Sequence, residues 1–202
     1  AGERNYHPAG RSKSAGGGSP WAEPGSLAQT YGPDAIRYFM VSEVTYGRDG
    51  EFTLERFEEV YSAHLANGLG NLLSRSVGMA TKYFDGIPES TGEPDAMFSE
   101  LCAQAVADAR AAVAEFRIHS AVHSAWSIVA ACNEQIQARE PWKMAKDPER
   151  EGELAVFLYG ILESLRIAAV LLSPVMPGKT ADCLQALGWE PGPLVLSEAA
   201  AW

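Results

Sequence analysis

The chain has 202 residues, of which 47% are hydrophobic and 21% charged, a balance typical of a soluble globular domain with or without an appendage. Its formal net charge of −10 argues against a general nucleic-acid binder, because phosphate contacts need Lys and Arg. Any RNA site must therefore rest on a local patch and on specific side chains. The three cysteines have no CxxC spacing, which argues against a zinc site and against a disulfide framework.

The sequence contains no targeting or membrane signal that we recognise. No apolar run approaches the roughly 20 residues that a membrane-spanning helix needs. The amino-terminal stretch has no apolar core of the kind found in signal peptides. We therefore expect a cytoplasmic protein with no membrane partner. Because the chain opens at Ala1 without Met, we also expect it to be a piece of a longer protein.

The first part of the chain divides into a loop and a small connector. Residues 1–30 read as a flexible loop, since they include a Gly/Ser run and lack apolar periodicity before Tyr31. Gly32-Pro33-Asp34 predicts the start of a short helix. Tyr46-Gly-Arg-Asp-Gly50 predicts a turn. Together these signals place a connector module at residues 31–53.

The remainder, residues 54–202, is predicted to be an all-α bundle of about five helices. Thr53 is the expected N-cap of a long first helix, whose apolar residues recur three and four positions apart from Phe57 to Phe84. Strand signals are almost absent. Trp126 and Phe157 lie on apolar stripes and are expected in the core. The further helices are predicted at about 97–116, 119–137, 151–172 and 177–188, with a short one beginning at Pro141.

Five sequence blocks stand out between residues 31 and 177. The blocks are Tyr31-Gly-Pro-Asp-Ala-Ile-Arg-Tyr-Phe39, Gly47-Arg-Asp-Gly-Glu-Phe52, Leu65-Ala-Asn-Gly-Leu-Gly-Asn-Leu-Leu-Ser-Arg75, Glu140-Pro-Trp-Lys-Met-Ala-Lys146 and Leu171-Leu-Ser-Pro-Val-Met-Pro177. In order and spacing they resemble the methionyl-tRNA synthetase family, a class I aminoacyl-tRNA synthetase family, over about residues 23–202. The resemblance implies that residues 54–202 are the anticodon-binding domain, that residues 31–53 are similar to the stem-contact module, and that residues 1–30 retain part of the catalytic loop.

The catalytic loop of that family reads Lys-Met-Ser-Lys-Ser, and the corresponding stretch here is Gly10-Arg-Ser-Lys-Ser14. The resemblance implies that Lys13 stabilises the charge that develops as pyrophosphate leaves ATP; the alternative is a surface lysine in a loop. The nucleotide-binding domain with its His-Ile-Gly-His motif is missing from this chain. We therefore expect that the full enzyme uses ATP and magnesium and that neither binds this fragment. We also expect the fragment alone to be inactive.

Asn71 and Arg75 lie four residues apart, so a helix would place them on one face. The family resemblance implies that this pair hydrogen-bonds the first anticodon base; otherwise they are a surface amide and a solvated charge. Trp142 follows Pro141 at a predicted helix start, and the family uses this Trp as a stacking platform for the anticodon. The alternative is a Trp that packs on the bundle. Cations that could meet the tRNA backbone surround it, namely Arg139, Lys143 and Lys146.

Other polar residues receive no site assignment. His119 and His123 share a helix spacing, but no third ligand accompanies them, so no metal is expected. Asp34 and Arg37 are explained by a helix start and an ordinary structural ion pair, and we assign them no catalysis.

The leading functional prediction is methionine–tRNA ligation, in which this chain recognises the CAU anticodon of initiator and elongator methionine tRNA. Its other partner would be the missing amino-terminal catalytic domain of the same protein. One alternative is a non-catalytic helical interaction module derived from a synthetase, which the acidic net charge favours. Another is the anticodon domain of a cysteinyl or isoleucyl synthetase. The joint presence of Asn71, Arg75 and Pro141-Trp142 favours the methionyl type.

Overall fold

A computed structural model describes residues 24–44, 52–88 and 95–189. Within these three ranges every regular element is helical, which confirms the predicted all-α class. The predictions for residues 1–23, including the role of Lys13, and for the turn at Tyr46–Gly50 lie outside the described residues. The proposed domain boundaries after residues 30 and 53 remain predictions.

Two helices precede the bundle, α1 (Pro24–Tyr31) in the predicted loop and α2 (Pro33–Glu43) in the predicted connector. The predicted loop over residues 1–30 is wrong for residues 24–30, which are helical. Tertiary contacts explain the error. Leu27 is buried, and the ring of Tyr31 meets Phe57 edge-on at 5.1 Å, although no repeating apolar pattern is visible in the sequence.

The predicted long helix is present but has an unusual middle. It comprises α3 (Leu54–Val60), a π-helical segment (Tyr61–Gly70) and α4 (Asn71–Phe84). Thr53 is its N-cap as predicted, since its hydroxyl oxygen accepts a hydrogen bond from the Arg56 amide at 3.2 Å. The π-helical segment was not predicted, and it matters because π-helical turns are rare and occur often at functional sites.

The rest of the bundle follows the predicted order, with bounds within a few residues of those expected. Pro141 and Pro177 occupy the first turns of their helices, where their missing amide hydrogen costs nothing. The elements are α5 (Ala96–Ala114), α6 (Ile118–Arg139), α7 (Pro141–Met144), a 3₁₀ turn (Pro148–Arg150), α8 (Glu151–Leu172) and α9 (Pro177–Ala186).

Helix α8 lies at the centre of the bundle and packs against α4, α5, α6 and α9. The stretch Pro148–Leu172 is long and apolar enough by composition to cross a bilayer, but 78% of its most apolar window is buried among the other helices. It is therefore the core helix of this fold. Phe157 is buried as predicted, and Trp126 is partly buried against the core. The three free cysteines are buried packing residues.

Helix α2 is joined by two hydrogen bonds to α9 and to the loop that precedes α9. A carboxylate oxygen of Asp34 accepts a hydrogen bond from the Lys179 amide at 2.7 Å, at the positive end of the α9 dipole. The guanidinium of Arg37 donates to the Pro174 carbonyl at 2.9 Å. Each residue thus makes a structural hydrogen bond to the backbone, and within the described residues neither makes the ordinary ion pair that the sequence suggested.

Candidate nucleic-acid interface

The first candidate residues, Asn71 and Arg75, open helix α4 directly after the π-helical segment. The opposite face of α4 is buried through Leu72, Ser76 and Ala80, so this pair is turned away from the core. Asn71 is exposed and Arg75 is half-buried. Neither side chain has a hydrogen-bond or ion-pair partner among residues 24–44, 52–88 and 95–189.

The solvent-facing side of α4 continues past Arg75. At about 100° per residue, positions 71, 75, 78 and 82 fall within an arc of about 60°. Lys82 is exposed, and its ammonium lies 5.2 Å from the ring centroid of Tyr83, without an acidic partner in the described part of the chain. The signal that could have identified Lys82 was its spacing of eleven residues from Asn71. We call Asn71, Arg75, Gly78 and Lys82 the α4 stripe.

A close contact between the π-helical segment and α6 sets the position of α4. The indole of Trp126 packs over Gly68 so closely that a Cβ at Gly68 would lie 2.7 Å from the ring. Beyond it, the amide of Asn133 donates to the Gly68 carbonyl at 3.5 Å. His64, one turn earlier, lies 4.8 Å from Trp126 between ring centroids. Because Gly68 has no side chain and the π-helical turns are wide, α6 packs closely against the segment just before the α4 stripe.

Trp142 lies at the start of α7, just after a sharp reversal of the chain. Glu140 adopts a left-handed conformation with φ of 45°, and Pro141 then begins the four-residue helix. The indole is half-buried and packs against the core, while its neighbours Pro141 and Met144 are buried. No hydrogen bond, ion pair or ring contact in the described residues joins Trp142 to Asn71 or Arg75. The anchored turn nevertheless leaves part of the indole accessible.

The three cations near Trp142 differ in how far they are engaged. Arg139 donates to Asp95 at 2.6 Å and to Gln135 at 3.1 Å, and its guanidinium lies 5.1 Å from the ring centroid of Phe157. Arg139 is therefore a structural cation that bridges α6, α5 and α8. The sequence did not reveal this role, because Asp95 is 44 residues away.

Lys143 and Lys146 are both exposed. Lys143 pairs with Glu140 at 2.7 Å, whereas Lys146 has no acidic partner within the described ranges. The local basic patch is thus weaker than its composition suggested. Of the predicted backbone contacts, Lys146 is the one that combines exposure with the absence of a described acidic partner.

Comparison with known proteins finds relatives over most of the chain. Residues 10–77 match the family model described as tRNA synthetases class I (M). The methionine–tRNA ligase of Oceanobacillus iheyensis is 41% identical over 180 residues, which cover 84% of this chain and 26% of that protein. The methionine–tRNA ligase of Bacillus subtilis is 37% identical over 170 residues, which cover 82% of this chain and 26% of that protein.

Solved structures give the same result. Apo methionyl-tRNA synthetase of Mycobacterium tuberculosis superimposes with a TM-score of 0.79 at 31% identity, and the match covers 84% of this chain and 35% of that one. The same enzyme in complex with methionyl-adenylate gives a TM-score of 0.77 at 32% identity, with coverages of 84% and 34%. The chain spans about a quarter of the length of the curated relatives that it matches. On the strength of these similarities, the chain belongs to the methionyl-tRNA synthetase family.

Proposed function

We propose that this chain is the part of a methionine–tRNA ligase that reads the CAU anticodon. Asn71 and Arg75 would hydrogen-bond the edge of the first anticodon base, and the accessible part of the Trp142 indole would stack on an unpaired base. The observation that carries the proposal is the α4 stripe, on which an amide and a guanidinium stand on a rigid helix without a described internal partner. Rigid helical placement suits base recognition, because it holds donors in a fixed geometry.

The register between the long helix and α6 supports a common surface for these residues. Contacts advance in the same direction along both helices, because His64 lies against Trp126 and Gly68 contacts both Trp126 and Asn133. Arg75 follows Gly68 by seven residues, so it is expected level with the last turns of α6. The chain reversal that carries Trp142 comes directly after those turns.

The acidic net charge limits how this surface can bind RNA. Lys82 and Lys146 are the cations that we assign to phosphates, because both are exposed and neither has a described acidic partner. Lys143 would have to exchange Glu140 for a phosphate, and Arg139 would have to leave Asp95. We therefore expect a modest electrostatic contribution and a larger share of the affinity from stacking and base-edge hydrogen bonds.

The activity proposed for the whole protein is ATP- and magnesium-dependent ligation of methionine to its initiator and elongator tRNAs. The residue assigned to ATP chemistry, Lys13, lies outside the described residues, and the nucleotide would bind the whole enzyme. A cytoplasmic location is part of the same proposal, and three buried free cysteines fit a reducing compartment.

One alternative from the sequence remains, a non-catalytic helical interaction module. The pairing of Arg139 and Lys143 with acidic residues favours it, because this pairing reduces the positive charge available to RNA. The other alternative, a cysteinyl or isoleucyl synthetase, is set aside by the family membership given above.

The decisive experiment titrates the 202-residue chain with fluorescently labelled anticodon stem–loops by anisotropy. It compares CAU with UAU, which is changed at the first anticodon base, and with CAC, which is changed at the third. We expect selective binding to CAU. Trp142→Ala should weaken it by about 1–3 kcal/mol through the loss of stacking. Asn71→Ala and Arg75→Ala should each cost about 1–2 kcal/mol and reduce the preference for CAU over UAU.

Two matched controls guard this interpretation. Arg110→Ala removes an exposed arginine from α5, and Phe116→Ala removes an aromatic side chain that is 74% exposed at the α5–α6 turn. Both should bind as the unaltered chain does. Equal affinity for CAU and UAU would refute recognition of the first anticodon base by Asn71 and Arg75, and the absence of binding to any of the loops would favour the interaction module.

A further inference from the structure

Gly78 occupies an exposed position in the middle of α4 where nothing in the described structure requires glycine. Its backbone is helical with negative φ, a conformation that any residue adopts. A Cβ built at Gly78 would meet no described atom within 4 Å. Glycine is disfavoured inside helices because it loses more conformational freedom than alanine on folding. Neither backbone geometry nor internal packing therefore explains its presence.

The position of Gly78 points instead to a ligand. It lies on the α4 stripe between Arg75 and Lys82, so a ligand held by Asn71 and Arg75 and continuing along the helix passes directly over it. A residue without a side chain lets another backbone approach the helix more closely than any other residue does. Lys82, one turn further on, is exposed and positioned to meet a phosphate.

We propose that Gly78 is the point at which the sugar–phosphate backbone of the anticodon loop comes into van der Waals contact with α4. The inference rests on the proposed function, since it takes an RNA loop as the ligand. The RNA backbone is the favoured contact, rather than a base edge, because Gly78 offers no side-chain donor or acceptor. The contact positions the loop on Asn71 and Arg75 and reads no sequence itself.

The experiment pairs thermal stability with binding of CAU and CAC stem–loops in the 202-residue chain. Gly78→Ala should raise Tm by about 2 °C, because alanine favours the helix. It should weaken binding of both loops about tenfold, since a methyl group must fit into a close contact. The CAU-to-CAC affinity ratio should stay unchanged, and Gly78→Gln should weaken binding further. Gly25→Ala is the matched control, because Gly25 is exposed on α1 with no described atom within 4 Å of its Cβ position.

Each outcome decides between the two proposals. Unchanged affinity in Gly78→Ala overturns the close-contact inference alone, provided that the unaltered chain binds the stem–loops. A fall in Tm also overturns it, because glycine would then be required by the fold. Failure of the unaltered chain to bind either stem–loop overturns the proposed function and this inference with it. Equal binding of both loops overturns selectivity for the third anticodon base alone, and the Gly78 contact is then decided by the affinity of Gly78→Ala.

Discussion

Tyr38 and His64 are joined by a 2.9 Å hydrogen bond between the phenol oxygen and Nδ1. Burial raises the pKa of Tyr38 well above its ordinary value, so the phenol stays protonated and donates to the imidazole. His64 also packs on Trp126 of α6. The pair thus ties the connector helix α2 to the π-helical segment and to α6, and it requires a neutral His64 as acceptor.

This relationship predicts a specific pH dependence of stability. Burial lowers the pKa of His64, with smaller lowering effects from Arg56 and His123 and an opposing effect from Glu43. The unfolded chain therefore takes up this proton at a higher pH than the folded chain, and the free energy of unfolding falls as pH drops from about 7 toward 5. Replacing His64 by Gln removes that titration and keeps a hydrogen-bond acceptor.

Urea unfolding at a series of pH values tests this prediction. We expect the free energy of unfolding of His64→Gln to fall less between pH 7 and 5 than that of the unaltered chain. Gln137→Ala, which removes an exposed side chain without a titratable group from α6, should keep the unaltered slope. If the free energy of unfolding of His64→Gln fell with pH as steeply as that of the unaltered chain, the folded protein would not require a neutral His64 as hydrogen-bond acceptor.

A second prediction concerns Gly68, whose close contact with Trp126 sets the position of the α4 stripe. Gly68→Ala places a methyl group 2.7 Å from the indole, and overpacking of this kind costs about 1–3 kcal/mol. Trp126→Phe removes the ring atoms that the methyl group would meet. In a double-mutant cycle, Gly68→Ala should therefore cost less in the Trp126→Phe background, with a coupling of about 1 kcal/mol or more.

The cycle is measured by urea unfolding at pH 7.5, where His64 is neutral. Circular dichroism of each variant controls for loss of helix. Additive effects of the two substitutions would mean that the Gly68–Trp126 contact does not limit the packing of α6 against the π-helical segment.

The sequence predicted those helix starts that depend on neighbouring residues alone. Thr53, Pro33, Pro141 and Pro177 mark helix starts through capping and fixed φ, which act within a few residues. Helix α1 and the π-helical segment escaped prediction because both depend on tertiary contacts. Leu27 is buried by the fold, and Gly68 faces a Trp that lies 58 residues further along the chain.

The candidate site likewise has a part that local sequence predicts and a part that depends on distant contacts. The four-residue spacing of Asn71 and Arg75 predicted a shared face, and α4 has them there. The number of available cations near Trp142 could not be predicted, because it depends on ion pairs. Arg139 finds Asp95 across the bundle, and composition alone gives no information about that partner.

The third prediction separates structural from RNA-binding cations. Arg139 is one-third exposed, and Asp95, which also caps α5, is 16% exposed. Arg139→Ala should lower the free energy of unfolding by about 1–2 kcal/mol, because it leaves a partly buried carboxylate without its partner. Lys146→Ala removes an exposed lysine and should stay within about 0.5 kcal/mol of the unaltered chain. Urea unfolding measures both, and equal stabilities would show that the Arg139–Asp95 pair contributes little.

The fourth prediction uses salt to count phosphate contacts. A cation that neutralises one phosphate of a single-stranded loop contributes about 0.7 to the slope of log K against log salt concentration. Lys82→Gln and Lys146→Gln should each reduce the slope for the CAU stem–loop by about that amount while leaving the CAU-to-CAC ratio unchanged, since phosphate contacts carry no base information. Lys179→Gln, on α9 and paired with Asp182, is the matched control and should leave the slope unaltered. Unaltered slopes in Lys82→Gln and Lys146→Gln would remove these lysines from the interface, and binding would then rest on stacking and base-edge contacts, as the net charge of −10 already favours.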